Sequence, residues 1–195
     1  MSDLLNVLVG RAQLGDSVAL DELVSEVRRA VLRYAIAQRL SREDADDLAQ
    51  DVCIAVLKIV PGWRETGRSM WGYVFTVARN KLTDGVRRQI RQSALGAQVS
   101  LDDESGTAAH EVADRGAGPE DRVLAQAGNA RMDHFLRMLP ATQREVLLLR
   151  AVVGLSGRET AEVLKLSPGS VHVLQHRAVT RLRALMASDS AVRER

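Results

Sequence analysis

The run from 139 to 183, LPATQREVLLLRAVVGLSGRETAEVLKLSPGSVHVLQHRAVTRLR, constrains this chain most, because it holds two helix starts separated by a tight turn. Ser156 precedes a periodic segment and Glu159 follows three residues later, a capping box that satisfies the orphan amides of a helix start. Ala161, Val163 and Leu164 supply apolar contacts, and the small residue at 161 suits two helices that cross closely. Lys165-Leu166-Ser167 then forms the turn. Ser167 can cap the second helix, and Pro168 fits its first position, where no amide hydrogen is needed. Val171, Leu174, Ala178 and Leu182 give that helix one apolar face. Its other faces carry Ser170, His172, Gln175, His176, Arg177, Thr180, Arg181 and Arg183. A short polar start and a basic end suit a helix that noses into the major groove with its end near phosphates. The spacing therefore predicts a helix-turn-helix that reads duplex DNA.

The remaining composition points to an all-α chain. Among 195 residues aromatics are 3% and prolines number four, and no sustained alternation of Val, Ile and Thr marks strands. No apolar run approaches the length of a membrane span, and Met1-Ser2-Asp3 leads into a mixed helix rather than a signal peptide, so no membrane insertion is expected. Cys53 is the only cysteine, which excludes intramolecular disulfides and cysteine-rich zinc sites and fits a reducing cytoplasm. It reads as a small core residue. No cofactor and no metal site are expected.

The net charge of +2 conceals a segregation. Residues 1–63 are net acidic, 64–92 carry seven basic against two acidic side chains, 93–118 are acidic again, and 119–195 are basic. Two helix-like runs within 11–40, one from Glu43 to Val60 ended by Pro61-Gly62, and one near Met70 to Arg91 make a first helical domain over 1–92. Residues 93–118 are small, polar and acidic without periodicity and read as a flexible linker. Fully extended it would reach about 90 Å, against about 30 Å as a coil. Gly118-Pro119-Glu120-Asp121 looks like the start of a second domain over 119–195. The expectation is two small helical domains joined by a flexible acidic linker.

Two further clusters carry chemistry. Trp63, Trp71, Tyr73 and Phe75 are four of the six aromatics, interleaved with Arg64 and Arg68 and followed by Arg79, Asn80 and Lys81. Aromatic faces beside a basic groove hold single-stranded bases, and an Asn can bond a base edge. Phe75 reads better as a core anchor, and Trp71 fits either role. The second cluster is Asp44, Asp46, Asp47 and Asp51 near a helix start that favours negative charge. Without an accompanying His it suits a basic protein partner rather than catalysis. His172 and His176 have the four-residue spacing of metal ligands but no third ligand near them, so contact with DNA or plain solvation is the reading.

The order DADDLAQDV, a loop, WGYVFTVARNKLTDGVRR, a linker and a C-terminal helix-turn-helix resembles the extracytoplasmic-function (ECF) sigma factors of the sigma-70 family over nearly the whole chain. The resemblance implies that Asp47, Gln50 and Asp51 dock on the clamp helices of core RNA polymerase. It implies that the segment from Trp63 to Arg91 recognises and melts the −10 promoter element, with Trp63, Arg64, Arg68, Trp71, Arg79, Asn80, Lys81, Asp84, Arg87 and Arg88 as contacts. The 63–70 loop would receive an extruded base, and Arg79, Asn80, Asp84 and Arg88 would sit at the duplex junction. The helix-turn-helix would read the −35 element, with Ser167, Ser170, His172, Val173, Gln175, His176, Arg177 and Arg181 as contacts. Promoter DNA, core polymerase and an anti-sigma factor are the implied partners, with the chain monomeric on a polymerase that holds its two domains apart. The linker would thread toward the RNA exit path, its negative charge imitating nucleic acid. Two departures from the family pattern stand out: His172-Val173-Leu174 where a basic patch is common, and Lys165 where the turn usually has Gly.

Two other readings compete. A free-standing helix-turn-helix regulator would bind palindromic duplex as a dimer and would need neither the aromatic-basic segment nor the acidic helix. A recombinase-like enzyme would need a placed nucleophile or metal carboxylates, and the sequence offers neither.

Overall fold

The computed structural model describes residues 2–64, 68–95 and 131–193. Every regular element among them is helical. Most of the expected linker and the start of a helix at 118–121 lie outside the described residues, as do the side chains of Arg87 and Arg88.

Four helices form the N-terminal part. Helix α1 (Ser2–Gln13) buries Leu5, Leu8 and Val9 on one face. It ends in a turn in which Gly15 takes φ +91°, a left-handed conformation that glycine adopts without a Cβ clash. Asp16 then caps α2 (Ser17–Ala37), its carboxylate accepting from the Ala19 amide at 3.0 Å. That amide, with the Arg11 guanidinium, holds the Asp16 carboxyl below the usual carboxylate range. Leu23, Val27, Ala30, Val31 and Tyr34 form the buried stripe of α2. Ser41 caps α3 (Arg42–Ile59) by accepting from the Asp44 amide at 3.1 Å, and Pro61 sits in the 3₁₀ turn Val60–Gly62 that stops it. Helix α4 (Met70–Leu95) begins where Ser69 Oγ accepts from the Gly72 amide at 2.9 Å. It runs on into the first residues of the expected linker.

Cys53 is buried on α3 with its thiol near the Val24 carbonyl, and burial pushes that thiol above its ordinary value. This agrees with the core role read from sequence.

The C-terminal part comprises α5 (131–137), α6 (Ala141–Leu147), a π-helical turn (Leu148–Val153), α7 (Gly157–Leu164) and α8 (Pro168–Arg193). Both halves of the capping box form: Glu159 donates its amide to Ser156 Oγ at 3.2 Å, and the Ser156 amide donates to Glu159 Oε2 at 2.7 Å. Val171 and Ala178 are buried, and Leu174 and Leu182 pack beside them, so the predicted apolar face of α8 is the one turned inward. Leu147, Leu148, Leu149 and Val153 are buried as their run suggests, but the π turn carries Val152 out to 38% exposure.

Lys165 closes α7 at φ +56°, a left-handed conformation disfavoured by its Cβ. Lys165→Gly is therefore expected to stabilise the C-terminal part by roughly 0.5–1 kcal/mol, after allowing for the greater freedom of glycine in the unfolded chain. Thermal unfolding checks this; an unchanged or lower midpoint would show that the turn carries no such strain.

The two parts pack against each other. One continuous buried cluster joins Tyr34, Met70, Trp71, Val74 and Phe75 of the N-terminal part to Val146, Leu149, Val153, Ala161, Val163 and Leu164 of the C-terminal part. Tyr34 meets Phe75 edge-on at 5.4 Å between ring centres, a geometry that contributes about 0.5–1.5 kcal/mol beyond burial. The first domain thus does not stand apart from the second.

Candidate nucleic-acid and polymerase interfaces

Helix α8 presents the duplex-reading candidates. Ser167 Oγ accepts from the Ser170 amide at 3.1 Å and lies 2.8 Å from the Ser170 hydroxyl, so the two serines brace the helix start together. His172, Val173, His176, Arg177 and Arg181 are exposed beyond it. Gln175 differs. It is half-buried, and its Oε1 accepts from Arg150 Nε at 3.2 Å, while Arg150 also donates to the Leu155 carbonyl. In this arrangement Gln175 braces the π turn rather than facing outward.

An open cleft of about 500 Å³ runs beside α8, lined by Gln143, His176, Arg177, Thr180, Arg181 and Ala184. Gln143 Oε1 is buried there without a hydrogen-bond partner. Gln143 belongs to α6, and nothing in its local sequence marks it; only the packing of α6 on α8 brings it to this face. Cationic side chains around a cleft suit a run of phosphates.

The acidic helix α3 exposes Asp47, Gln50 and Asp51 on one face, where helical spacing adds Ile54 and Leu57, each 41% exposed. Asp46, by contrast, pairs with Arg28 at 2.7 Å. Asp51 accepts from Lys81 Nζ at 2.5 Å, which ties the face to α4. The reading from sequence missed Ile54 and Leu57. Their signal was available as apolar residues beyond Gln50 at helical spacing, outside the buried stripe of Ala49, Val52, Cys53 and Val56.

The aromatic-basic segment divides. Trp63 is half-buried and tilts against Tyr73 at 5.7 Å, while Gln13 Nε2 donates to the Trp63 carbonyl at 2.8 Å and fixes the loop's start. Arg64 and Asn80 are exposed, as is Asp84. Trp71 is only 2% exposed and stacks on Phe75 at 5.9 Å, with its indole nitrogen buried and unpartnered. In this arrangement Trp71 is a core residue, and an open platform of four aromatics is not formed. Arg68 and Arg79 are each engaged by a glutamate of the C-terminal part, Glu162 and Glu145 respectively, both at 2.8 Å.

Residues 23–92 match the Sigma-70 region 2 family and residues 130–182 match the Sigma-70, region 4 family. The chain is 41% identical over 187 residues to the ECF RNA polymerase sigma factor ShbA of Streptomyces griseus subsp. griseus, covering 93% of this chain and 94% of the relative. It is 37% identical over 183 residues to the ECF RNA polymerase sigma factor SigD of Mycobacterium tuberculosis, covering 92% and 82%. Among solved structures, RpoE in complex with the anti-sigma factor NepR from Bartonella quintana superposes with a TM-score of 0.60 at 23% identity, covering 87% of this chain and 97% of that one. That last likeness is one of fold.

Proposed function

The chain belongs to the ECF sigma factors of the sigma-70 family, which direct promoter-specific initiation by RNA polymerase, and we propose that its two domains divide that work. Residues 1–92 take the docking and −10 functions, 119–195 take the −35 function, and 93–118 link them. Asp47, Gln50 and Asp51, with Ile54 and Leu57 beside them, form the polymerase-docking face. Arg64, Arg68, Arg79, Asn80, Lys81, Asp84, Arg87 and Arg88, with Trp63, meet the melted −10 strand and its junction with duplex.

On α8, Ser167, Ser170, His172, Val173, His176, Arg177 and Arg181 meet the −35 duplex. The observation that carries this division is the exposed polar and basic face of α8 behind a fully formed capping box. Gln175 joins the readers once it leaves Arg150. Polymerase performs the chemistry, and the chain has no catalytic activity of its own. It works in the cytoplasm as a monomer on polymerase and is held in check by an anti-sigma factor, as RpoE is bound by NepR. No described helix is long and apolar enough to cross a membrane.

The test is run-off transcription by core polymerase with and without the chain. Specific transcripts are expected only with it. In the same assay Arg177→Ala weakens binding at every promoter alike and lowers the salt slope by about one, as loss of a phosphate contact does. A defect confined to one base position would make Arg177 a base reader instead.

A further inference from the structure

The face of α4 assigned above to the melted strand is covered here by the chain's own C-terminal domain. Arg79 Nε donates to Glu145 Oε1 and Arg68 Nε donates to Glu162 Oε1, and the two glutamate side chains are 18% and 19% exposed. The Tyr34 hydroxyl also faces Glu145 Oε1 at 3.4 Å and accepts from Gln38 Nε2 at 3.1 Å. Burial, followed by the Glu145 charge, raises the Tyr34 phenol well above its ordinary value, so it stays a neutral donor. Trp71 is buried between these contacts, and a Cβ added to Gly72 would stand 2.6 Å from Glu162 Oε2.

A guanidinium makes the same charge-assisted hydrogen bonds to a carboxylate as to a phosphate. Glu145 and Glu162 therefore occupy the donors that strand phosphates would use. The exposed face of α8 lies outside this contact, with His172, His176, Arg177 and Arg181 on it.

We propose that Glu145 and Glu162 form a self-masking pair that closes the C-terminal domain over Arg79 and Arg68 and keeps the free chain from single-stranded DNA while its duplex-reading face stays open. This rests on the reading of Arg68 and Arg79 as strand contacts. A partner that binds the opened chain better than the closed one shifts the balance toward strand capture. Duplex reading requires no opening and can come first.

The experiment uses the full chain without polymerase. Small-angle X-ray scattering reports domain separation, and fluorescence anisotropy reports binding of a labelled random-sequence single strand of about 15 nucleotides. Glu145→Gln/Glu162→Gln is expected to enlarge the chain and tighten strand binding about tenfold. Gly72→Ala is expected to act in the same direction, more weakly. It changes no charge, so a gain there does not come from lower net negative charge, and alanine favours the helix.

Adding Arg68→Ala/Arg79→Ala to the opened chain should abolish the gain. A chain that stays compact in both variants overturns the masking pair itself. A chain that opens without binding the strand better, or whose gain survives loss of both arginines, overturns instead the reading of those arginines as strand contacts.

Discussion

Replacing Asp47 and Gln50 together by alanine is expected to weaken binding to core polymerase on the order of 100-fold, since two interface anchors commonly contribute a few kcal/mol together. Both side chains are exposed on α3, where Ala45, Leu48, Ala49 and Val52 turn the opposite face into the core. Alanine favours a helix, so the fold should survive with a stability change within about 0.5 kcal/mol. Binding of purified chain to core polymerase, with thermal unfolding alongside, checks both halves. Undiminished binding by the double variant would move the docking surface elsewhere. Lost binding with a lowered unfolding midpoint would show that the substitutions act on the fold.

Trp71→Ala and Asn80→Ala should separate sharply although both positions lie on α4. Removing an indole that is 2% exposed and stacked on Phe75 is expected to cost about 3–5 kcal/mol of stability. Promoter opening then suffers because the domain is weakened. Asn80 is exposed, so Asn80→Ala should leave the unfolding midpoint in place and slow promoter opening about tenfold or more, in keeping with loss of a base contact. Urea unfolding and the rate of strand opening at a fixed promoter distinguish the two. A Trp71→Ala chain as stable as the parent would remove Trp71 from the core, and normal opening by Asn80→Ala would remove Asn80 from the strand.

Local signals were legible and long-range ones were not. Ser41, Ser156 with Glu159, and Ser167 with Pro168 mark helix starts through contacts three residues long, and each cap forms as its spacing suggests. The inward face of α8 follows from periodicity alone. The burial of Trp71 also had a local signal, since Met70, Trp71, Val74, Phe75 and Ala78 repeat at helical spacing, but neighbouring arginines give the same residues the look of a strand platform. Nothing local could join Arg79 to Glu145, 66 positions away, or Arg68 to Glu162, 94 positions away. Gln175 looked like a reader because its partner Arg150 lies on another element. The π turn was invisible for a related reason: its sequence, LLRAVV, reads as ordinary buried helix.

That turn makes chain length itself a constrained quantity. A π segment holds one residue more than an α-helix would place there, and here the Leu155 amide reaches back to the Leu149 carbonyl at 2.9 Å to close it. Deleting any one residue between 148 and 153 would restore α-helical phase and swing everything beyond it by roughly 100° about the axis. Arg150 would lose its alignment with Leu155 and Gln175, and α7 would leave the groove it shares with α4. Point substitutions in this stretch remove one side chain, whereas a single-codon deletion would re-aim the whole DNA-reading end of the molecule.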